Sequence, residues 1–294
     1  MPAARIVLLT AIAMLAFAGN SLLCRVALKH TAIDPASFTT VRLVSGALAL
    51  WLIARLRAPA ATGQGNWLSA LALYAYAAGF SFAYVNLAAA SGALLLFGAV
   101  QATMIGRGIA AGERLAPRQL AGLLLALAGL VGMLLPGLTA PPLGGALLMM
   151  GAGVAWGIYS LRGKGAGDAT RVTAGNFLRA APIAIAVSAA LALAGGGAGG
   201  SGGTAIDGPG LLYAVASGAL TSGIGYAIWY AALPALQATS AATVQLSVPV
   251  IAALGGVAFL GEALTLRLVA ASVAILGGIA LVILQKRAGT ASKR

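Results

Sequence analysis

Gly112-Glu113-Arg114-Leu115-Ala116-Pro117-Arg118 returns 149 residues later as Gly261-Glu262-Ala263-Leu264-Thr265-Leu266-Arg267. Each copy opens a Gly/Ala/Leu-rich stretch, 118–136 and 265–285. The match continues without a gap through Ala121/Ala270 and Gly129/Gly278. The offset is about half of the 294-residue chain, so the sequence reads as an internal duplication. A second correspondence lies earlier, at a slightly smaller offset. Phe17-Ala18-Gly19-Asn20 aligns with Trp156-Gly157-Ile158-Tyr159, Arg25 with Lys164, and Arg42 with Arg179.

The composition says what was duplicated. The chain is 61% hydrophobic and 8% charged, with 41 Gly and a mean hydropathy of +0.99. A soluble domain carries roughly 25% charged residues to cover its surface. An ordinary water-soluble enzyme is therefore excluded, and the chain reads as an all-α membrane protein. About 20 apolar residues cross a bilayer. Runs bounded by charges, Pro or Gly clusters predict ten transmembrane helices at 5–24, 36–56, 67–87, 90–108, 118–136, 143–162, 172–194, 209–231, 237–259 and 265–285. The third and fourth are the least separated, with the turn expected between Asn86 and Ser91. The first resembles a signal peptide, but the spans that follow it favour a retained helix. Five helices fall in each repeat, 1–140 and 141–294. Five is odd, so the second repeat enters the membrane from the opposite side. Inverted repeats of this kind place a substrate site near the midplane between them.

Lys and Arg set the orientation. With the N-terminus inside, the inner segments carry Arg5, Arg55, Arg57, Arg107, Arg114, Arg118, Arg162, Lys164, Arg171, Lys286, Arg287, Lys293 and Arg294. The outer ones carry Arg25, Lys29 and Arg267. Both termini are therefore expected in the cytoplasm, in an inner (plasma) membrane, with the Gly/Ser tract from Gly195 to Gly203 outside. The net charge of +13 fits basic loops facing an anionic leaflet better than a nucleic-acid partner. One cysteine, Cys24, allows no intrachain disulfide, and one histidine, His30, allows no His-rich metal site. There is no phosphate-binding loop. Neither a metal nor a cofactor is expected, and the chain does not read as an enzyme.

Ten helices, two five-helix repeats and a Gly-Glu-x-Leu motif before the last helix of each repeat resemble the drug/metabolite transporter superfamily, in its EamA-like branch. The aromatic-Gly-x-x pattern of Phe17–Asn20 and Trp156–Tyr159 fits this resemblance. So does Phe38-x-x-x-Arg42 at the entry to helix 2. The resemblance covers nearly the whole chain and implies a secondary transporter of small metabolites, with amino-acid exporters among the branch. Phe17 stands where a Trp is usual. Val100 is the repeat partner of Pro249, so helix 4 lacks the expected proline. Small multidrug exporters in the same superfamily use a Glu in helix 1, where this chain has Asn20.

The acidic residues are Asp34, Glu113, Asp168, Asp207 and Glu262, all in loops or at helix edges. No carboxylate is expected mid-span, which argues against proton-coupled cation efflux and is consistent with uncoupled transport. Glu113 and Glu262 read as helix-start charges favoured by the helix dipole, with a proton site as the other reading. Buried amides and hydroxyls (Asn20, Asn86, Gln101, Asn176, Gln245, Ser217 and Ser222 among them) suggest a pathway that offers hydrogen bonds without fixed charge. Tyr76, Phe80 and Tyr84 share one face of helix 3. Candidate substrate contacts are Asn20, Phe17, Tyr76, Phe80, Tyr84, Gln101, Trp156, Tyr159, Tyr226 and Gln245. Arg42 and Arg179 are candidate gating charges or carboxylate attractors, with snorkelling to the interface as the bland reading. Gly153/Gly157 and Gly108/Gly112 are GxxxG pairs. Pro182, Pro234 and Pro249 are candidate hinges. The expected function is export of neutral or aromatic amino acids, small-molecule substrates, by alternating access within the lipid bilayer, with a monomer possible and the oligomeric state open. The alternative is proton-coupled export of drug-like or nucleobase-like solutes.

Overall fold

The computed structural model describes residues 1–56, 64–87, 89–134, 143–194, 205–260 and 266–291. Every regular element among them is helical. The first seven helices are α1 (Ala3–His30), α2 (Pro35–Leu56), α3 (Trp67–Asn86), α4 (Ala89–Ala110), α5 (Pro117–Leu134), α6 (Leu143–Gly163) and α7 (Ala169–Leu193). Then α8 (Gly208–Ala216), a π-helical segment (Ser217–Ile224), α9 (Gly225–Ala232) and a single tight turn (Leu233–Ala235) run on as one rod. Finally come α10 (Ala238–Gln245), α11 (Ser247–Leu260) and α12 (Leu266–Ala291). Seven spans among the described residues are long and apolar enough to cross a membrane: α1, α2, α3, α6, α7, the rod Gly208–Ala235, and Ala238–Gly255. The chain is a multi-pass membrane protein. The repeat boundary at 140/141, the Gly/Ser tract and Glu262 lie outside the described residues.

Helix starts follow from capping chemistry. Asp34 accepts hydrogen bonds from the Ala36 and Ser37 amides, Asn66 from Ser69, Asp168 from Arg171, and Asp207 from Gly210. Each satisfies a donor that the first turn leaves open. The third and fourth spans separate where expected, α3 closing at Asn86. The ninth span differs from the single helix read over 237–259. It breaks at Leu246, between α10 and α11. The physical reason is Pro249, which has no N–H to bond the Gln245 carbonyl four residues back. The backbone tightens instead, and the Leu246 amide reaches the Thr243 carbonyl at 3.1 Å.

The solvation pattern is inverted relative to a soluble protein. Leu8, Leu15, Leu48, Leu52, Leu124 and Leu147 are exposed, while Asn20, Arg42, Ser81, Gln101, Asn176 and Gln245 are buried. Lipid tails give apolar helices no reason to leave them, so association depends on close packing at small residues. Along α5 and α12, Gly122 lies on Gly278, and Gly129 lies on Ala271 and Ala274. Gly153 and Gly157 let α6 approach Leu96, Ala99 and Thr103 of α4. Gly108/Gly112 is not a second pair of this kind. Gly112 has φ +88° and forms the turn after α4, a conformation that favours glycine. Elsewhere α2 packs on α7, α3 on α6, and α1 on α9 and α11.

Candidate functional site

Five rings converge from four helices. Phe17 of α1 meets Trp156 of α6 edge-on at 5.1 Å and Tyr226 of α9 at 5.6 Å. Trp156 lies 4.9 Å from Tyr76 of α3, 4.7 Å from Tyr226 and 5.7 Å from Tyr159. Edge-on and tilted contacts suit the ring quadrupoles better than face-to-face stacking. The Trp156 indole N–H donates to Gln245 Oε1 at 2.6 Å, which ties the cluster to the break between α10 and α11.

Arg42 borders this cluster and is only 1% exposed. Its Nε donates to Ser222 Oγ at 2.9 Å, and one terminal nitrogen, Nη2, to the Tyr226 hydroxyl at 2.6 Å. Its guanidinium carbon stands 5.4 Å from the Tyr76 ring centre and 5.9 Å from that of Phe80. Asn20 completes the network, its Oδ1 accepting from Ser217 Oγ at 2.7 Å and from Ser222 Oγ at 3.3 Å. The two serines are five residues apart. An α-helix of 3.6 residues per turn would turn them to different sides. The π-helical winding, with bonds five residues back, aims both at Asn20. Gly218 lets this segment lie on α2, where an added Cβ would overlap the Arg42 carbonyl and Ser45 Oγ.

The candidate residues therefore separate into groups. Phe17, Asn20, Arg42, Tyr76, Trp156, Tyr159, Tyr226 and Gln245 form one network. Phe80 and Tyr84 extend it along α3, 4.8 Å from each other. Gln101 stands apart and donates to the Ala242 carbonyl at 2.7 Å. Arg179 is also separate: its Nη1 donates to the Gln64 and Gly175 carbonyls, with the Trp67 ring at 6.0 Å. Snorkelling does not describe Arg42, which turns inward to two other helices. The expectation of a site without fixed charge is corrected on this point, since a guanidinium stays ionised. Sequence reasoning placed Ser222 among the pathway hydroxyls but left it, and Trp229 (5.8 Å from Phe17), out of the candidate contacts.

Glu113 does hold a helix start, but not that of α5, which follows it. Its carboxylate accepts from the Ala238 amide at 2.9 Å, the Thr239 amide at 3.2 Å and the Thr239 hydroxyl at 2.6 Å, capping α10. Burial pushes its carboxyl up. The bonds from Thr239 and Ala238, with Lys164 nearby, outweigh this and hold it below the usual carboxylate range. A depressed folded value means that the contact stabilises the protein above the ordinary glutamate range. That contribution is lost as pH falls through the folded value. Glu113→Gln is expected to cost about 1 kcal/mol, the size of a helix cap. Melting of the purified protein should show a lower Tm for the variant at pH 7, a difference that closes only as the pH is taken below the depressed folded value of Glu113.

Residues 143–284 match the model of the EamA-like transporter family. An uncharacterised protein of Pseudomonas aeruginosa is 58% identical over 294 residues, covering 100% of this chain and 99% of that one. A solved crystal structure, 21% identical, superposes with a TM-score of 0.78 over 97% of this chain and 99% of its own, a likeness of fold.

Proposed function

Because the chain belongs to the EamA-like transporter family, whose members are membrane transporters of small solutes, we propose that it is a secondary carrier exporting neutral or aromatic amino acids by alternating access. The observation that carries this reading is the ring cluster. Aromatic side chains from α1, α3, α6 and α9 meet beside a buried guanidinium and two amides. That combination suits a small solute with an apolar side chain and a polar head.

Two five-helix halves of opposite topology are part of the proposal. The packing supports them. Exchange α1–α5 with their counterparts in the second half and the neighbour relations survive: α2 on α7 and α5 on α12 map onto themselves, and α3 on α6 maps onto α1 on α9. The break at Leu246 gives one rod a mid-membrane hinge. Uncoupled transport is supported by the use of Asp34, Asp168, Asp207 and Glu113 as helix caps. The basic segments favour an inner membrane with both termini cytoplasmic.

The test is counterflow in liposomes with labelled phenylalanine, leucine and glycine, at symmetric pH and with an imposed gradient. Saturable counterflow of phenylalanine and leucine, unchanged by the gradient, is the expected result. Flux that does not saturate would make the protein a pore, and flux that requires the gradient would overturn the uncoupled reading.

A further inference from the structure

We propose that Arg42 is the anchor for a substrate carboxylate, and that the carrier takes organic monocarboxylates with an apolar or aromatic tail whether or not they bear an amino group. The proposal rests on the carrier reading above and names what its site recognises.

The argument begins with charge. Arg42 cannot shed its proton at any ordinary pH, so it is a fixed cation. Its partners among the described residues are the Ser222 and Tyr226 hydroxyls, the Tyr76 side chain through its hydroxyl and ring, and the Phe80 ring, all neutral. Its second terminal nitrogen, Nη1, is buried with no hydrogen-bond partner. An uncompensated buried charge is strongly unfavourable. A bound carboxylate would supply the missing charge and accept from Nη1, the charge-assisted bond to which guanidinium geometry is suited. Nε and Nη2 are held by Ser222 and Tyr226, so the group is already oriented when the anion arrives. The Tyr76 ring lies against the guanidinium, and Trp156 against Tyr76. The tail of the ligand then has an aromatic surface beside its head group.

The ammonium of an amino acid finds no charged partner among the described residues, only neutral acceptors such as the unpartnered Gln101 Oε1. Asn20 Oδ1 already accepts from two serines, and Gln245 Oε1 from Trp156. Both are neutral. Among the described residues, the carboxylates are engaged at helix starts. Binding therefore rewards the carboxylate and asks no amine of the ligand, so 3-phenylpropionate should compete at least as well as phenylalanine.

Four probes of one tail separate the possibilities: 3-phenylpropionate, phenylalanine, 3-phenylpropanamide and phenethylamine, each competing for counterflow in liposomes. The two carboxylates are expected to compete about ten- to hundredfold better than the amide and the amine, the worth of a hydrogen bond to a charged group. Arg42→Gln should bring carboxylate and amide to parity. Arg42→Lys, which keeps a charge and loses the forked geometry, should retain a weaker carboxylate preference and serves as the second variant if Arg42→Gln does not fold. Competition by phenylalanine but not 3-phenylpropionate would overturn the proposal and leave the carrier reading standing. Equal competition by the amide, or an intact preference in folded Arg42→Gln, would also overturn it. Competition by none of the four would remove both readings.

Discussion

Trp156→Ala is expected to abolish substrate counterflow and to destabilise the protein by about 3–5 kcal/mol, the range for truncating a large buried aromatic side chain. The indole contacts Phe17, Tyr76, Tyr159 and Tyr226, so its loss leaves a gap among four rings on four helices. It also strands Gln245 Oε1, whose donor it is. A buried acceptor without a donor costs about 1–3 kcal/mol by itself. Trp156→Phe divides the two contributions, since it keeps a ring and removes the N–H. Thermal unfolding in detergent, read beside counterflow in liposomes, should place the phenylalanine variant between wild type and alanine. Full transport by the alanine variant would show that the ring cluster is packing alone.

Gly218→Val should be nearly as damaging through a different route. A Cβ at position 218 would overlap the Arg42 carbonyl and the Ser45 hydroxyl oxygen. The carbonyl is backbone and cannot rotate away, so the rod must move off α2. Overpacking of this kind costs about 1–3 kcal/mol. The displacement also carries Ser222 and Tyr226 away from the guanidinium they orient, so transport should fall further than stability. Gly98→Ala is the control. Position 98 of α4 has open space where the methyl group would go, and the change should leave Tm unaltered or slightly raised. Melting and transport of the two variants side by side would distinguish a local steric conflict from a general intolerance of larger residues.

The fold is legible in the sequence where the physics is local. Apolar runs long enough for a bilayer give the rods, and Asp34, Asn66, Asp168 and Asp207 sit where helix starts need acceptors. The aromatic partners are legible in part, because Tyr76, Phe80 and Tyr84 recur along one helical face. What depends on distant chain is not. Arg42 lies two turns from the start of α2, a position that reads as interfacial. It becomes central only because glycines at 46 and 218 bring in a rod whose Ser222 is 180 residues away. Glu113 is recognisable as a helix-edge charge, but the helix it caps begins 125 residues further on. Pro249 is visible as a breaker, whereas its consequence, a gap beside the amide that Trp156 binds, requires the fold.

The π-helical winding between Ser217 and Ile224 acts as a phase shifter. Each residue of an α-helix advances the helix by about 100°. A wider turn withholds part of that rotation from everything downstream. Tyr226, Trp229 and Tyr230 follow the segment directly and are all buried. Wound as uninterrupted α-helix from Gly208, the same rod would rotate these three rings out of register with Phe17 and Trp156, toward neighbouring helices or lipid. The clocking of the aromatic centre is thus stored in the backbone eight residues long that precedes it, not in the rings themselves.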